Sequence, residues 1–485
     1  MSALMLGIDL GTSSVKLCLM DESGEVIASA RREYPVIGQE EGFYEQNPED
    51  WTSAIASAMN DIHAFAGDIC SVGLSAQMPT LVASAPGGEL LHNAVLWRDA
   101  RAEQQGRELL ELWGEERHYR KTGIVLDGRY IIPMARRLEQ NAEVDLTKSH
   151  LLLSAKDYLC MKLTGNAVTD PSTASGFGVY SLEGGGWDDF LCGEAGIDTA
   201  CLPKVADSGS IAGYLTEEAA KSLGLRAGIP VITGCADSVS GVLGTGAAKP
   251  GALCQMWGSS TALIAVKEKP VLSAKRRYLV TPLAAPRTYG CEADILSTGG
   301  AMSRLLTLTG QTDGPQLFET AKKAPPGSDG LLIYPYLSGG EQGVLWEQSL
   351  RGGILGLTDR HHLGHIVRSL LEGMCFEVKR CAEAFQEDGC SISKSFCGGF
   401  ISKTPFFMQM LADILAVPCV SVNGENASAA GAAYIAGVGT DVFSFEDIGR
   451  MAPAGATYMP GESEAAVYKP FYDRYIRNTE NMKPR

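Results

Sequence analysis

The sequence predicts an α/β protein with two domains of related core structure that face each other across a cleft. Its 485 residues exceed what one ordinary hydrophobic core accommodates. A pattern of apolar strand, short hydroxyl-rich loop and second apolar strand occurs near residue 10 and again near residue 258, which suggests a duplicated core. The Gly- and Pro-containing segment 244–251 is typical of a hinge. We therefore predict domains at residues 1–242 and 243–485.

The chain opens with three short strands. Leu4–Leu10 and Val15–Met20 are apolar runs on either side of a small loop, and turn residues precede a third run, Glu25–Ala30. This spacing predicts an antiparallel meander. Helical patterns follow at Pro48–Ala66, which Asn47 would cap, and at Ala100–Leu112 and Ile131–Glu139.

The second strand, loop and strand pattern comprises Ala252–Trp257, a loop at 258–261 and Ala262–Val266. A later apolar run ends in two glycines, Gly398 and Gly399, and precedes a helical pattern at Pro405–Leu415. Paired glycines allow a flat ligand to lie on the backbone, although a tight strand-to-helix turn is the alternative explanation.

Composition restricts the class of partner. The net charge of -16 disfavours nucleic acid and anionic membranes, because no basic patch is segregated in the sequence. The 13 cysteines contain no C-x-x-C pair, which indicates a reducing compartment rather than a disulfide framework or a zinc ribbon. Neither a signal peptide nor an apolar run of membrane-spanning length is recognisable, so we expect a cytoplasmic protein.

The loop after the first strand combines a carboxylate, Asp9, with a glycine and the hydroxyls of Thr12, Ser13 and Ser14. Such a loop can present backbone N–H groups and hydroxyls to phosphate oxygens, while the carboxylate holds Mg²⁺ directly or through water. A structural turn is the alternative, but the related loop at Ser259 weakens it, because actin-like ATPases hold nucleotide between two such hairpins. The P-loop and dinucleotide-binding motifs are absent from the sequence.

A third candidate site lies at Asp237. It follows the apolar run Val231–Ala236 and precedes small residues. A carboxylate at a strand end can act as a general base toward a hydroxyl, but an aspartate there can also serve only as a helix N-cap.

Several segments together resemble the FGGY carbohydrate kinases. Gly352–Leu357, seven further residues and then His365–Glu372 fit the family's C-terminal signature. Glu45–Trp51, Gly73–Met78 and Lys156–Leu159 are also similar to family segments. The resemblance covers essentially the whole chain and implies two ribonuclease-H-like domains of the actin/hexokinase/Hsp70 type around a central cleft.

The resemblance also implies roles for particular residues. Asp237 would be the catalytic base and Asp9 the Mg²⁺-associated carboxylate. Thr12, Ser13 and Ser259 would contact phosphate, with Ser259 replacing the threonine of many members. The adenosine site would be lined by Gly300, Gly398 and Gly399.

The acceptor pocket departs from the family pattern. By resemblance, Gly73–Met78 is closest to xylulokinases, and the residues facing the sugar would be Met78, Pro79, Trp97, Arg98 and Asp99. Pro79, however, stands where xylulokinases have histidine, so one polar contact with the sugar must be made differently. Ordinary core packing of Met78 and Trp97, and a surface ion pair between Arg98 and Asp99, are the structural alternatives.

The sequence therefore predicts an ATP- and Mg²⁺-dependent kinase of a small sugar, with D-xylulose as the first candidate. Ribulose, a tetritol, glycerol and gluconate are alternative substrates. A non-catalytic sugar-responsive regulator is the alternative from another class, and the presence of both Asp9 and Asp237 argues against it. A homodimer is expected by family analogy alone.

Overall fold

The computed structural model describes residues 3–38, 42–145, 150–311, 314–338, 340–422 and 426–482. Within these ranges the chain forms 24 strands and 16 α-helices. We call the part up to residue 244 the first half and the rest the second half.

The strands of the first half, β1 to β15 in chain order, are Leu4–Leu10, Ser14–Met20, Val26–Glu33, Ile37–Gly38, Tyr44–Gln46, Ile69–Ala76, Thr80–Ser84, Ala94–Leu96, Leu151–Leu153, Val168–Thr169, Tyr180–Ser181, Gly186–Trp187, Lys204–Val205, Ile211–Tyr214 and Pro230–Ala236. Its helices, α1 to α9, are Pro48–Met59, Glu103–Trp113, Glu115–Thr122, Ile131–Gln140, Ala155–Thr164, Pro171–Ser175, Asp189–Glu194, Glu217–Leu223 and Asp237–Gly244.

The strands of the second half, β16 to β24, are Ala252–Trp257, Thr261–Lys267, Leu279–Pro282, Tyr289–Ile295, Leu332–Tyr334, Gly353–Leu355, Lys394–Gly399, Cys419–Val422 and Ala454–Tyr458. Its helices, α10 to α16, are Gly299–Thr309, Gly314–Ala321, Leu363–Glu387, Pro405–Leu415, Ala427–Val438, Phe445–Met451 and Glu462–Met482.

The main sheets of the two halves have the same arrangement of their central strands. In the first, β1 is antiparallel to β2 and parallel to β6, and the strand order runs β14-β15-β6-β1-β2-β3 across the described residues. In the second, β16 is antiparallel to β17 and parallel to β22, in the order β18-β19-β17-β16-β22-β23-β24. The duplicated α/β core predicted from the two loops is therefore confirmed.

The predicted elements agree closely with the observed ones. The meander is present as β1, β2 and β3, and Pro405–Leu415 forms helix α13. Asn47 caps α1 by accepting a hydrogen bond from the backbone of Glu49. The predicted helix Pro48–Ala66 differs in its last turns, because α1 ends at Met59 and a 3₁₀ helix continues over Asn60–Phe65.

Helix α14 belongs to the second half but packs on the first sheet. The approach is so close that a methyl group added at Gly7 would lie 2.2 Å from the carbonyl oxygen of Ala429, and one added at Gly73 would lie 1.9 Å from that of Ala432. A methyl group at Gly431 would likewise lie 1.9 Å from the Ser240 carbonyl oxygen on α9. Only glycine allows these backbones to touch.

The junction between the halves has its own hydrophobic cluster. Met5 and Met20 from the first sheet, Val242 from α9, Ile264 from β17 and Tyr434 from α14 are all buried in it. The domain boundary between residues 242 and 243 stays a prediction, and it falls within α9.

The cysteines add to this packing. All 13 are free thiols, and 12 of them are buried, Cys70 being partly exposed. Burial raises the pKa of several, including Cys18 and Cys254, to about 12. No described helix has both the length and the apolar character needed to cross a membrane.

The glycine contacts under α14 predict a clear effect on stability. Gly73→Ala would place a methyl group against the rigid backbone of α14, so we expect a loss of roughly 1–3 kcal/mol in the free energy of unfolding. The control is Gly67→Ala, because Gly67 is exposed and a methyl group there would meet nothing within 4 Å. Urea denaturation measures both variants, and equal stabilities would contradict the packing argument.

Candidate active site

A cavity of about 490 Å³ lies between the two halves. Side chains from β1–β2, α6 and the start of α9 line it on one side, and residues of β16, β17 and β19 line it on the other. The start of α14, Asn426–Ser428, also reaches it. The cavity is therefore built by the same elements that pack the halves together.

Asp237 lines this cavity at the first position of helix α9. The N-cap of α9 is Ala236, and no side chain caps this helix. The Asp237 carboxylate accepts a hydrogen bond from the backbone N–H of its neighbour Ser238, at 2.9 Å. Asp237 is thus not the N-cap residue of α9, although its carboxylate satisfies one backbone N–H of the first turn.

The protonation of Asp237 is strongly perturbed. Burial, followed by the nearby negative charge of Asp9, raises the pKa of Asp237 to about 8, and Lys16 partly opposes this shift. With such a pKa the carboxyl group is mostly protonated at neutral pH, and its deprotonated fraction is a stronger base than an ordinary aspartate, with a pKa close to the operating pH that suits general base catalysis.

Asp9 is the last residue but one of strand β1, lies outside the cavity lining and is almost fully buried. It accepts a hydrogen bond from the Ser75 hydroxyl at 2.8 Å, and the Lys16 ammonium lies 3.5 Å from its other oxygen. Lys16 itself lines the cavity. The Asp9–Lys16 pair therefore connects the first hairpin to the cavity.

The first loop is held in place by the residues around it. Trp97 donates its indole N–H to the Thr12 hydroxyl at 3.1 Å, and Gln46 donates to the Thr12 carbonyl at 2.8 Å. Thr12 lines the cavity, whereas Ser13 is exposed and lies outside its lining. Of the two predicted phosphate contacts on this loop, the structure brings only Thr12 to the cavity.

The second loop lies between this cavity and a second one of about 670 Å³. Gly258 lines both, Ser260 lines the first, and Ser259 lines the second. Half of the side chains around the second cavity are apolar or aromatic, among them Met302, Leu306, Phe318, Phe400 and Phe406, and the other half are polar or charged. Two cavities joined at a hydroxyl-bearing hairpin loop suit a long ligand with one flat end and one charged end.

The three predicted adenosine-site glycines take different positions. Gly398 and Gly399 line the first cavity, not the second. Gly399 has φ = 96°, and a methyl group there would lie 2.0 Å from the Trp257 carbonyl oxygen, so glycine is required. The Gly300 N–H donates a hydrogen bond to the Ser259 carbonyl at 3.0 Å, and Gly300 is in the lining of neither cavity. Its neighbour Gly299 lines the second cavity.

Three of the five predicted sugar contacts reach the first cavity: Met78, Pro79 and Trp97. Arg98 is exposed and stacks over Tyr44, with 4.7 Å from the guanidinium carbon to the ring centre. Asp99 is buried and accepts hydrogen bonds from the Tyr44 N–H, at 2.9 Å, and from Arg101. The structure thus directs both polar side chains away from the cavity, and the partner of Asp99 is Arg101 rather than Arg98.

A charged group that the sequence interpretation missed faces the same cavity. Arg129 forms a bidentate ion pair with Asp127, whose carboxylate oxygens accept from its Nε at 3.0 and 2.9 Å. Gln342 lines the opposite side of the cavity. When its side-chain amide is oriented so that its hydrogen bonds are satisfied, the amide oxygen accepts hydrogen bonds from the Arg129 guanidinium. This contact joins the first half to the second.

Two carboxylates from β19, Glu292 and Asp294, complete this end of the cavity. Burial raises the pKa of both, that of Asp294 to about 7, and the negative charge of Glu292 adds to the shift at Asp294. The Thr281 hydroxyl donates to Glu292 at 2.5 Å.

Sequence signals for the missed residues exist in retrospect. Lys16 is the one charged residue within strand β2, and Glu292 and Asp294 occupy alternate positions of an otherwise apolar strand. Charged residues at such positions need an explanation, because they face a buried surface. No comparable local signal marks Arg129 or Gln342, which the fold brings together from distant segments.

The residues present fit an ion that arrives with phosphate better than a resident metal. Among the residues that the structure describes, no three His, Cys, Asp or Glu side chains are grouped to hold an ion. Mg²⁺ usually needs only one or two carboxylates besides the phosphates of its nucleotide. Asp9 and Asp237, which interact electrostatically, can meet that need.

Comparison with known proteins agrees with this architecture. The N-terminal domain of the FGGY family of carbohydrate kinases matches residues 4–244, and the C-terminal domain matches residues 254–440. A xylulose kinase of Bacillus subtilis (strain 168) is 29% identical over 479 residues, covering 97% of this chain and 95% of its own. A gluconokinase of the same organism is 27% identical over 502 residues, covering 99% of this chain and 97% of its own.

Among solved structures, a ligand-bound xylulose kinase from Lactobacillus acidophilus superimposes with a TM-score of 0.92 at 26% identity, over 98% of both chains. The two family domains together cover most of the 485 residues, in the order that the duplicated sheets require. The chain therefore belongs to the FGGY family of carbohydrate kinases.

Proposed function

We propose that this kinase transfers the γ-phosphoryl group of ATP to a hydroxyl of a neutral polyhydroxy acceptor, with D-xylulose as the best candidate. The observation that carries the proposal is the position of Asp237. It lies in the cavity between the two hairpin loops, occupies the first helical position of α9 rather than its N-cap, and has a pKa raised to about 8.

In this proposal Asp237 accepts the proton of the attacking hydroxyl. Thr12 and Ser260, from the two hairpins, are placed to donate hydrogen bonds to the phosphate chain. Lys16 supplies positive charge next to the transferring group. Mg²⁺, when bound with the nucleotide near Asp9, would neutralise phosphate charge. Positioning and electrostatics of this kind account for most of the catalysis in phosphoryl transfer.

The second cavity suits the adenosine part of ATP. Its aromatic and aliphatic side chains provide a surface for a flat base, and Gly258 and Ser259 join it to the first cavity. The predicted role of Ser259 as a phosphate contact is compatible with this position. For Gly398 and Gly399, proximity to the phosphates fits better than contact with adenine, because they line the first cavity.

The charge of the acceptor pocket favours a neutral sugar over an aldonic acid. Asp237, Glu292 and Asp294 are carboxyl groups in the same cavity, and the positive charge of Arg129 is already paired with Asp127. The raised pKa values of these carboxyl groups show that the cavity disfavours negative charge, so a substrate carboxylate would be destabilised there, and the described lining residues at that end offer it no unpaired cation. Xylulose kinases and a gluconokinase resemble the chain to a similar degree, so this charge is the feature that discriminates between them.

The pocket also offers hydroxyl-binding groups along its length. Ser172, Ser175, Thr281, Gln342 and Asp294 line it together. Such a series of polar groups suits an acceptor with several hydroxyls better than glycerol, which has three.

Homodimer formation and a cytoplasmic location stay predictions.

The acceptor prediction is tested with a panel of D-xylulose, D-ribulose, a tetritol, glycerol and gluconate in a coupled ATP-consumption assay. We expect kcat/KM to be highest for D-xylulose and lowest for gluconate. Asp294→Asn, which removes one negative charge, should raise kcat/KM for gluconate relative to D-xylulose. If gluconate is the best acceptor of the wild-type chain, the charge argument is wrong. If no acceptor stimulates ATP consumption, the kinase proposal itself fails in favour of a sugar-responsive regulator.

The role of Asp237 is tested with Asp237→Asn. The amide keeps the shape of the side chain but takes up no proton, so we expect kcat to fall by roughly 10² to 10⁴. Binding of ATP, measured by calorimetry, should be retained, because the adenosine cavity is formed by other residues. A well-folded variant with kcat close to that of the wild type would rule out Asp237 as the base.

The same variant has a second expected phenotype, in stability. In the folded chain the pKa of Asp237 is raised from 3.8 to about 8, so folding retains a proton that the unfolded chain releases between these pH values. The stability that this group contributes is complete below the lower pKa and is lost as the pH rises through the higher one. In the Asp237→Asn variant the side chain does not titrate, so this loss of stability with rising pH should be absent.

Urea denaturation without ligands at about pH 5.5 and about pH 8.5 measures the effect. The free energy of unfolding of the variant minus that of the wild type should be larger at the higher pH, because only the wild type loses stability as the pH rises. A difference that does not change with pH would show that Asp237 titrates at its ordinary pKa.

A further inference from the structure

Strand β15 is irregular just before Asp237. Between Ile232 and Cys235, β15 contains one residue more than the segment of β6 with which it pairs, which forms a β-bulge. Gly234 lies within this bulge and has φ = 75°. The bulge withdraws the Thr233 carbonyl from the regular pairing. Bulges next to active sites commonly redirect the following side chain, which here is Asp237.

The freed carbonyl is bound by a buried lysine. Lys156 of α5 donates from its ammonium to the Thr233 carbonyl oxygen at 3.0 Å, and only 1% of its side chain is exposed. The ammonium also lies 3.3 Å from a carboxylate oxygen of Asp157 and 3.3 Å from one of Asp170. Neither aspartate side chain is exposed to solvent.

A second connection runs from Lys156 to the other side of the bulge. The second carboxylate oxygen of Asp170 accepts a hydrogen bond from the Ser172 hydroxyl at 2.5 Å. The Ser172 oxygen in turn accepts from the backbone N–H of Ala236 at 3.0 Å. The lysine therefore holds β15 directly at Thr233 and, through Asp170 and Ser172, at the residue adjacent to Asp237.

A purely structural role explains this arrangement poorly. Burying a lysine with two carboxylates is expensive in desolvation, and apolar side chains of similar volume often stabilise a core as well or better. Directional charge-assisted hydrogen bonds do, however, fix backbone positions more sharply than apolar contacts. Both connections end on the four residues that precede Asp237, Thr233–Ala236.

We propose that Lys156 and Asp170 are positioning residues, which hold the β15 bulge so that Asp237 points into the cavity. The proposal rests on the proposed role of Asp237 as the base. Neither residue lines the cavity, so their effect on the reaction would pass through the backbone on either side of Gly234 and, for Asp170, also through Ser172, which lines the cavity.

Asp170→Asn is the first test. Asparagine caps a helix about as well as aspartate does, so α6 should keep its cap, while the ion pair with Lys156 is lost. We expect kcat to fall roughly 10- to 100-fold, the loss that a misplacement of about 1 Å can cause. KM for ATP and the binding stoichiometry of a non-hydrolysable ATP analogue should not change. A loss that arose only from unfolding would instead lower the stoichiometry.

The matched control is Asp188→Asn. Asp188 also caps a helix, α7, and also pairs with a lysine, Lys121, at 2.6 Å, but the hydrogen-bond partners of its side chain, Lys121 and Leu191, lie outside β15. It should lose stability in a similar way and keep the kcat of the wild type. If both variants lose kcat equally, or if Asp170→Asn keeps wild-type kcat, the proposal is overturned.

Lys156→Gln provides a second variant, because its amide can still donate to Thr233 while the positive charge is lost. Since the two residues are joined by their ion pair and hold the same bulge, the double variant with Asp170→Asn should lose no more kcat than the more impaired single variant, within about twofold. If the losses of the two single variants multiply in the double variant, the two residues act independently, which contradicts the proposal.

Asp237→Asn, assayed alongside, separates the positioning role from the role of Asp237 as the base. If Asp237→Asn is fully active, the assignment of Asp237 as the base fails. If Asp237→Asn is inactive while Lys156→Gln and Asp170→Asn have normal activity, only the positioning role fails.

Discussion

The contact of helix α14 with the first sheet is the constraint on which the rest of the structure depends. Gly7 and Gly73 bring β1 and β6 within backbone distance of α14, and Gly431 does the same for α9. Hydrogen bonds fix the two helices in register: the Ser428 hydroxyl donates to the Asp237 carbonyl at 2.9 Å, and the Ser240 hydroxyl donates to the Ser428 carbonyl at 2.7 Å. The backbone that carries Asp237 is thus bonded to a helix of the second half.

This arrangement explains how several carboxyl groups share one cavity. The tight packing at its base holds Asp237 near Asp9 in a region of low polarity, where repulsion and desolvation favour the protonated acid. Burial has the same effect on Glu292 and Asp294 on the opposite wall. Folding tolerates these groups because the scaffold around them is rigid. A neutral acceptor and a cation-bound phosphate chain complement such a pocket.

The sequence was sufficient for the fold and for part of the site. Apolar runs and hydroxylic loops identified both hairpins, because strand patterning is local and each copy repeats it. Five residues that the sequence predicts for the site, Asp237, Thr12, Met78, Pro79 and Trp97, line one cavity in the structure, and their roles stay predictions. The side chains of Arg98 and Asp99 lie outside this lining, because they contact Tyr44 and Arg101, partners that are recognisable only once the loops are folded. The Arg129–Gln342 contact joins residues more than 200 positions apart, and no local pattern encodes such a meeting.

The distribution of cysteines gives the molecule a built-in reporter. Twelve of the 13 thiols are buried, and none of the 13 is fully exposed. A thiol reagent therefore reaches most of them only when the surrounding elements open, and the raised pKa values of Cys18 and Cys254 keep these two thiols protonated and unreactive until then. Cys254 and Cys397 lie on adjacent strands of the second sheet, while Cys18 lies in the first. The order in which these residues are alkylated would record which half of the molecule opens first, without a label being introduced.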